Sequence, residues 1–132
     1  SENCFMLTQE QKDKLESLTH HEKFGKLLQE AIKGWEEVNP KKNQYGLNHK
    51  SDKFELLVVE DDPDSTGCCL LGSAMLFKHS DKSSVFSSAL CLFSKLTENS
   101  VSELMIGFDG DDMNNETEAY KFGLKINKIL FP

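Results

Sequence analysis

The chain has 132 residues, 38% hydrophobic and 28% charged, with a net charge of −7. That length buries a core without help from disulfides or metals, so one globular domain over residues 1–132 is expected. The acidic balance speaks against nucleic acid as a partner, and the longest apolar run, Cys68 to Phe77, is about half a membrane span.

Thr8-Gln9-Glu10-Gln11 fits a capping box and predicts a short polar helix to about His20, with Leu15 and Leu18 turned inward. Phe24, Leu27, Leu28, Ala31, Ile32, Trp35 and Val38 recur at three- and four-residue spacing, the stripe of an amphipathic helix. Asn39-Pro40 ends it, because the residue before proline avoids the helical region. Residues 40–53 are polar and mildly basic, with Lys41, Lys42, His49, Lys50 and Lys53, and read as a loop or arm with a turn at Tyr45-Gly46. Phe54 to Val59 reads as a strand, and the segment that could pair with it is 103–108.

After the acidic stretch Glu60-Asp61-Asp62-Pro63-Asp64-Ser65-Thr66-Gly67, residues Cys68 to His79 are apolar nearly all round. Such a segment predicts a central helix covered on every side, and Gly72-Ser73-Ala74 supplies a small patch for close approach by a neighbour. Ser83 or Ser84 caps the next helix, with Val85, Phe86, Ala89, Leu90, Phe93 and Leu96 inward. Ser100-Val101-Ser102-Glu103 is a second capping box and favours helix over strand for the residues after it. Asp109-Gly110 is a turn into the acidic run Asp111-Asp112-Met113-Asn114. Asn115-Glu116-Thr117-Glu118 makes a third box, before a final helix patterned by Ala119, Tyr120, Gly123, Leu124, Ile126, Ile129 and Leu130. The expected fold is mainly α, a compact bundle of five to six helices around the helix 68–79. The alternative is α+β with a strand pair 54–59/103–108.

The acidic stretch at 60–67 invites two metal-site readings. As a calcium loop, Asp62, Asp64, Thr66 and Gly67 match positions 1, 3, 5 and 6, but position 12, which needs a bidentate glutamate, is Ser73. Counted from Asp109, the second acidic run puts Met113 and Asn114 at positions 5 and 6 and fails sooner. As a phosphoryl-transfer site, Asp62-x-Asp64-x-Thr66 after an apolar run is similar to the nucleophile motif of haloacid-dehalogenase-type phosphatases. Glu60 and Asp61 interrupt the strand junction that motif requires, and the alternating strands and helices of that fold are missing.

The cysteines are Cys4, Cys68, Cys69 and Cys91, too sparse for a disulfide scaffold. Free, buried thiols in a reducing compartment are expected, hence a cytoplasmic protein, with secretion by a route that needs no signal peptide left open. Cys68 or Cys69 at a helix start would gain thiolate character from the helix dipole, while the carboxylates of Asp62 and Asp64 oppose it. His20-His21 has no cysteine partners at zinc-site spacing. All fifteen basic residues are lysines, so the planar fork that arginine offers phosphate and carboxylate is missing.

Cys69-Leu70-Leu71-Gly72-Ser73-Ala74 resembles the C-x-L-G-A-A core of small bacterial and phage proteins of unknown function. The resemblance continues through Ile106-Gly107-Phe108-Asp109-Gly110 and Ala119-Tyr120 with Gly123 and Ile126, covering about residues 67–126. It implies helix packing and turns, and brings no activity, cofactor or site.

The residues therefore point to a non-enzymatic protein-binding or regulatory module, of inhibitor type, with an acidic working surface. Its candidate contact residues are Glu60, Asp61, Asp62, Asp64, Asp109, Asp111 and Asp112, with Tyr45 on the basic arm. The expected partner is another protein, with neither nucleic acid nor membrane and no cofactor; a homodimer through an exposed apolar stripe is a further option. The alternative is a small metal-dependent hydrolase or thiol enzyme centred on Asp62, Asp64 and Cys68.

Overall fold

The computed structural model describes residues 7–40, 42, 47–50, 53–56, 67–78, 85–93 and 95–132. Among them the chain is mostly helical, with α1 (Gln9–Leu18), α2 (Gly25–Trp35), α3 (Leu70–Met75), α4 (Val85–Leu92), α5 (Glu98–Asp109) and α6 (Glu118–Leu130). Four short strands accompany them: β1 (Asn39–Pro40), β2 (Leu47–Lys50), β3 (Lys53–Leu56) and β4 (Gly67–Cys68). No helix among the described residues is long and apolar enough to cross a membrane.

The first helix begins as its sequence dictates. Thr8 Oγ1 accepts from the Gln11 amide at 3.1 Å, and Gln11 Oε1 accepts from the Thr8 amide at 2.9 Å. Gln11 also donates from Nε2 to the Ile129 carbonyl at 3.2 Å, which ties α1 to the far end of α6. On α2 the stripe is buried as expected at Leu27, Leu28, Ala31 and Trp35, with Phe24 just ahead of the helix and Val38 beyond its end.

The helix α2 ends at Trp35, short of the stop expected at Asn39-Pro40, and Asn39 and Pro40 are not plain loop. They form β1, which pairs in parallel with β4, Asn39 opposite Gly67 and Pro40 opposite Cys68. The strand expected at 54–59 exists as Lys53–Leu56, with 57–59 outside the described residues. Its partner is β2, antiparallel, with Leu47 opposite Leu56. The alternative pairing with 103–108 does not form, because those residues lie in α5, the helix that the mainly α reading favours there. Closing a hairpin between adjacent segments costs less chain entropy than pairing across the intervening helices. The reading of 40–53 as loop is corrected by the same strands.

The central segment is also shorter than expected. Helix 68–79 contracts to Leu70–Met75, with Cys68 extended in β4 and Cys69 as the cap, its Sγ accepting from the Gly72 amide at 3.4 Å. The indole of Trp35 explains the late start. Its Nε1 donates to the Cys68 carbonyl at 3.1 Å in the buried interior, holding that residue in the strand rather than the helix. All six residues of α3 are buried, as a segment apolar nearly all round requires. The expected close approach falls at Ser73, and the space is made by the neighbour: a methyl on Gly34 would land on the Ser73 carbonyl oxygen.

Ser83 and Ser84, the expected caps of α4, lie outside the described residues. Ala89 and Leu96 are buried and Leu90 and Phe93 pack against the core. The two remaining boxes shift along the chain. In α5 the reciprocal pair is Thr97 and Ser100, at 3.1 and 2.9 Å, three residues ahead of the expected Ser100–Glu103 pair. In α6 Thr117, not Asn115, is the cap, its Oγ1 accepting from the Tyr120 amide at 3.3 Å. Between them Gly110 stops α5 with φ of 78°, and the Gly110 and Asp111 amides donate back to Gly107 and Ile106 at 3.0 and 3.1 Å. This left-handed stop suits glycine. The two helices then cross backbone to backbone, because a methyl on Gly107 or Gly123 would strike the opposing helix at the Tyr120 or Leu104 carbonyl. Trp35 stacks on Phe108 with centroids 5.9 Å apart, joining this hairpin to α2.

Candidate functional site

Of the eight candidate contact residues, Asp109, Asp111 and Asp112 are described, and Tyr45, Glu60, Asp61, Asp62 and Asp64 lie outside the described residues. Asp109 closes α5, half-buried and engaged within the fold. Asp111 and Asp112 follow the Gly110 stop and are exposed, as is Glu116 further along the turn. Among the described residues no cation pairs with any of these last three carboxylates.

The backbone beneath them is held at several points. Tyr120 reaches back from α6 and donates its phenolic hydroxyl to the Asp111 carbonyl at 2.9 Å. Its ring is 4% exposed. Loss of water first, then the charges of Glu116, Asp112 and Asp111, hold the phenol above its ordinary value, so it stays protonated and keeps donating. Asn127 Nδ2 donates to the Phe108 carbonyl at 2.8 Å, fixing the last turn of α5 against α6. The sequence supplies this geometry locally: a glycine stop, a threonine cap, and a tyrosine three residues past the cap.

The thiols are arranged differently. Burial pushes Cys68 up to about 12. Burial does the same for Cys69, also to about 12; the Gly72 and Leu71 amides pull it down, while Cys68 and the Asp109 carboxylate add to the rise. Desolvation therefore outweighs the helix-start effect that favours a thiolate. Both sulfurs are protonated at neutral pH and serve as packing groups and, at Cys69, as a helix cap. Cys91 on α4 is a free, exposed thiol. Among the described residues no group of three or more His, Cys, Asp or Glu side chains is placed to hold a metal.

A second cluster was invisible to sequence reasoning. His21 Nδ1 accepts from the Lys23 and Phe24 amides at 3.1 and 3.2 Å, so the imidazole caps the turn that opens α2. This hydrogen-bond pattern assigns the neutral ring's proton to Nε2, which lies 3.5 Å from Glu118 Oε2. The ring sits between Phe24 and Phe122, with both centroids at 4.8 Å. Lys23 reaches the same carboxylate at 3.2 Å. Lys23 first, and His21 after it, hold Glu118 below the usual carboxylate value. Histidine is not among the usual cap residues, which is why no sequence signal marks this turn.

Beside this cluster lies a groove of about 120 Å³, lined by Glu22, Lys23, Lys26, Leu92, Phe93 and Lys95. It brings the start of α2 against the end of α4. Leu92 is 46% exposed on its wall, one of two large hydrophobic side chains that stand out among the described residues, the other being Phe77.

No family model matches the chain, and neither a curated protein nor a solved structure resembles it.

Proposed function

We propose that this chain is a non-enzymatic protein-binding or regulatory module whose working surface includes the acidic turn between α5 and α6. One observation carries the reading: exposed Asp111 and Asp112 have no cationic partner in the described fold, while the backbone that presents them is fixed by Gly110 and by the Tyr120 hydroxyl. Charges held on a rigid turn lose little freedom when a partner docks. An unpaired acidic patch also steers a basic surface toward itself. The fitting partner is a protein with exposed lysine or arginine side chains, whose basic site the turn would cover in the manner of an inhibitor. Protonated thiols at Cys68 and Cys69 and a free one at Cys91 support a reducing, cytoplasmic setting.

The test is affinity capture with the intact chain and with the double variant Asp111→Lys, Asp112→Lys. Proteins captured by the first and lost by the second, with capture weakening as salt rises, are the expected outcome. An identical set of captured proteins from both would retire the acidic surface. Peptide mapping after iodoacetamide at neutral pH checks the thiols: Cys91 is modified and Cys68 and Cys69 are spared, whereas rapid modification of either buried thiol would revive the thiol-enzyme alternative.

A further inference from the structure

We infer that the groove between the start of α2 and the end of α4 is a second docking site, for a short acidic segment of a partner protein in which an apolar side chain is flanked by carboxylates. The site uses different residues from the acidic turn, so it stands or falls separately.

The argument is one of charge and size. Lys23, Lys26 and Lys95 bring three ammonium groups to the groove against the single carboxylate of Glu22. On a chain of net charge −7 this is a local reversal of sign. Two of those lysines already hold carboxylates of the same chain: Lys95 lies 3.6 Å from Glu22, and Lys23 lies 3.2 Å from Glu118. Both pairs are solvent-exposed, and such pairs contribute little to stability, so an incoming carboxylate displaces them at small cost. Lys26 is exposed and has no carboxylate partner among the described residues, so it receives an incoming acid without competition.

The apolar part follows from Leu92 and Phe93. Leu92 is nearly half exposed and Phe93 only partly buried. At about 120 Å³ the groove is well below the roughly 300–1,000 Å³ of small-molecule clefts, so it takes one side chain rather than a cofactor. An apolar residue between acids fills the floor and satisfies the rim together. A basic segment would meet three ammonium groups, and a wholly polar one would leave Leu92 and Phe93 in water.

The experiment is a titration of isotope-labelled intact protein with the peptide acetyl-Asp-Glu-Leu-Glu-Asp-amide, followed by amide NMR shifts. Shifts centred on Lys23, Lys26, Leu92, Phe93 and Lys95 are expected, with affinity falling about tenfold on Lys26→Glu. Leu92→Ser, or serine in place of the peptide leucine, should weaken binding about fivefold or more. Circular dichroism confirms that both protein variants remain folded. The proposal is overturned if a peptide with lysines in place of the acids shifts the same amides equally. It is overturned too if no shift appears at peptide concentrations on the order of 1 mM, or if shifts gather on residues 110–117. Groove amides that move on concentrating the protein alone would assign the groove to a second copy of this chain and likewise overturn it.

Discussion

The α5–α6 hairpin and the short helix α3 both contribute to the core, yet they are built by opposite means. The hairpin carries its own instructions: Thr97 with Ser100 starts α5, Gly110 stops it, and Thr117 starts α6. Helix α3 has six residues and a cysteine sulfur as its cap. Isolated helices shorter than about 12–15 residues are marginal in water, so α3 exists because α2 covers it. That difference separates a self-specified frame, able to hold an acidic turn at the surface, from a core element that holds no chemistry. The following substitutions would break or sharpen it.

The largest effect belongs to Trp35, which fills the core beside Phe108 and anchors the residue just ahead of the α3 cap. Trp35→Ala should cost about 3–5 kcal/mol in urea denaturation, enough to unfold a domain of ordinary stability in part. Trp35→Phe keeps most of the ring but leaves the buried Cys68 carbonyl without its donor, at about 1–3 kcal/mol. If Trp35→Phe cost nothing, the indole bond would not be what sets the start of α3.

Next come the close helix approaches. Alanine is favoured over glycine inside a helix by about 1 kcal/mol. At Gly34 and Gly107 the opposite sign is expected, because the added methyl meets the Ser73 or Tyr120 carbonyl. Gly34→Ala and Gly107→Ala should each destabilise by about 1–3 kcal/mol through forced backbone shifts. Hydrogen exchange distinguishes them: Gly34→Ala loosens α3, and Gly107→Ala loosens the hairpin. A stabilised Gly34→Ala protein would show that α2 and α3 are not held this close.

Removing a cap is smaller. Thr97→Ala and Thr117→Ala should each cost about 1 kcal/mol, with faster exchange in the first turn of the helix concerned. Thr117→Ala should also loosen the acidic turn ahead of α6, while α3 exchange stays unchanged.

The smallest effect is a change of pH dependence at Glu30, which joins α2 to the end of α3 through Lys78 and also pairs with Lys33. Burial raises its carboxyl, but the hydrogen bonds and charges of Lys78 and Lys33 outweigh that and hold it below 4.5. A carboxyl lowered by folding stabilises the fold above its unfolded value and loses that contribution as pH falls through the folded value. Stability of the unaltered protein should therefore drop more steeply below about pH 4.5 than that of Glu30→Gln. Parallel acid limbs would mean the lysines do not hold this carboxylate in solution.

Sequence alone determined the helical character and most of the inward faces. Most of the Phe24 to Trp35 stripe, the nearly all-apolar Leu70 to Met75 and most of the Ala119 to Leu130 pattern are buried where periodicity puts them, with Ile32, Leu124 and Ile129 only partly covered, because burying an apolar face is a local demand any compact fold must meet. Sequence also put Asp111 and Asp112 on a turn, since glycine past a helix end is a local stop signal. It misplaced two caps by a few residues, because several serines and threonines compete within one turn and only the formed helix selects among them. Tertiary structure decided the rest. Gly67 and Cys68 became strand because Trp35 and the Asn39–Pro40 edge hold them extended, and it is the packed core that desolvates the Cys68 and Cys69 thiols and keeps them protonated. It also turned His21 into a helix cap and gathered Lys23, Lys26 and Lys95 around Leu92, groups that meet only where the fold brings the end of α4 near the start of α2.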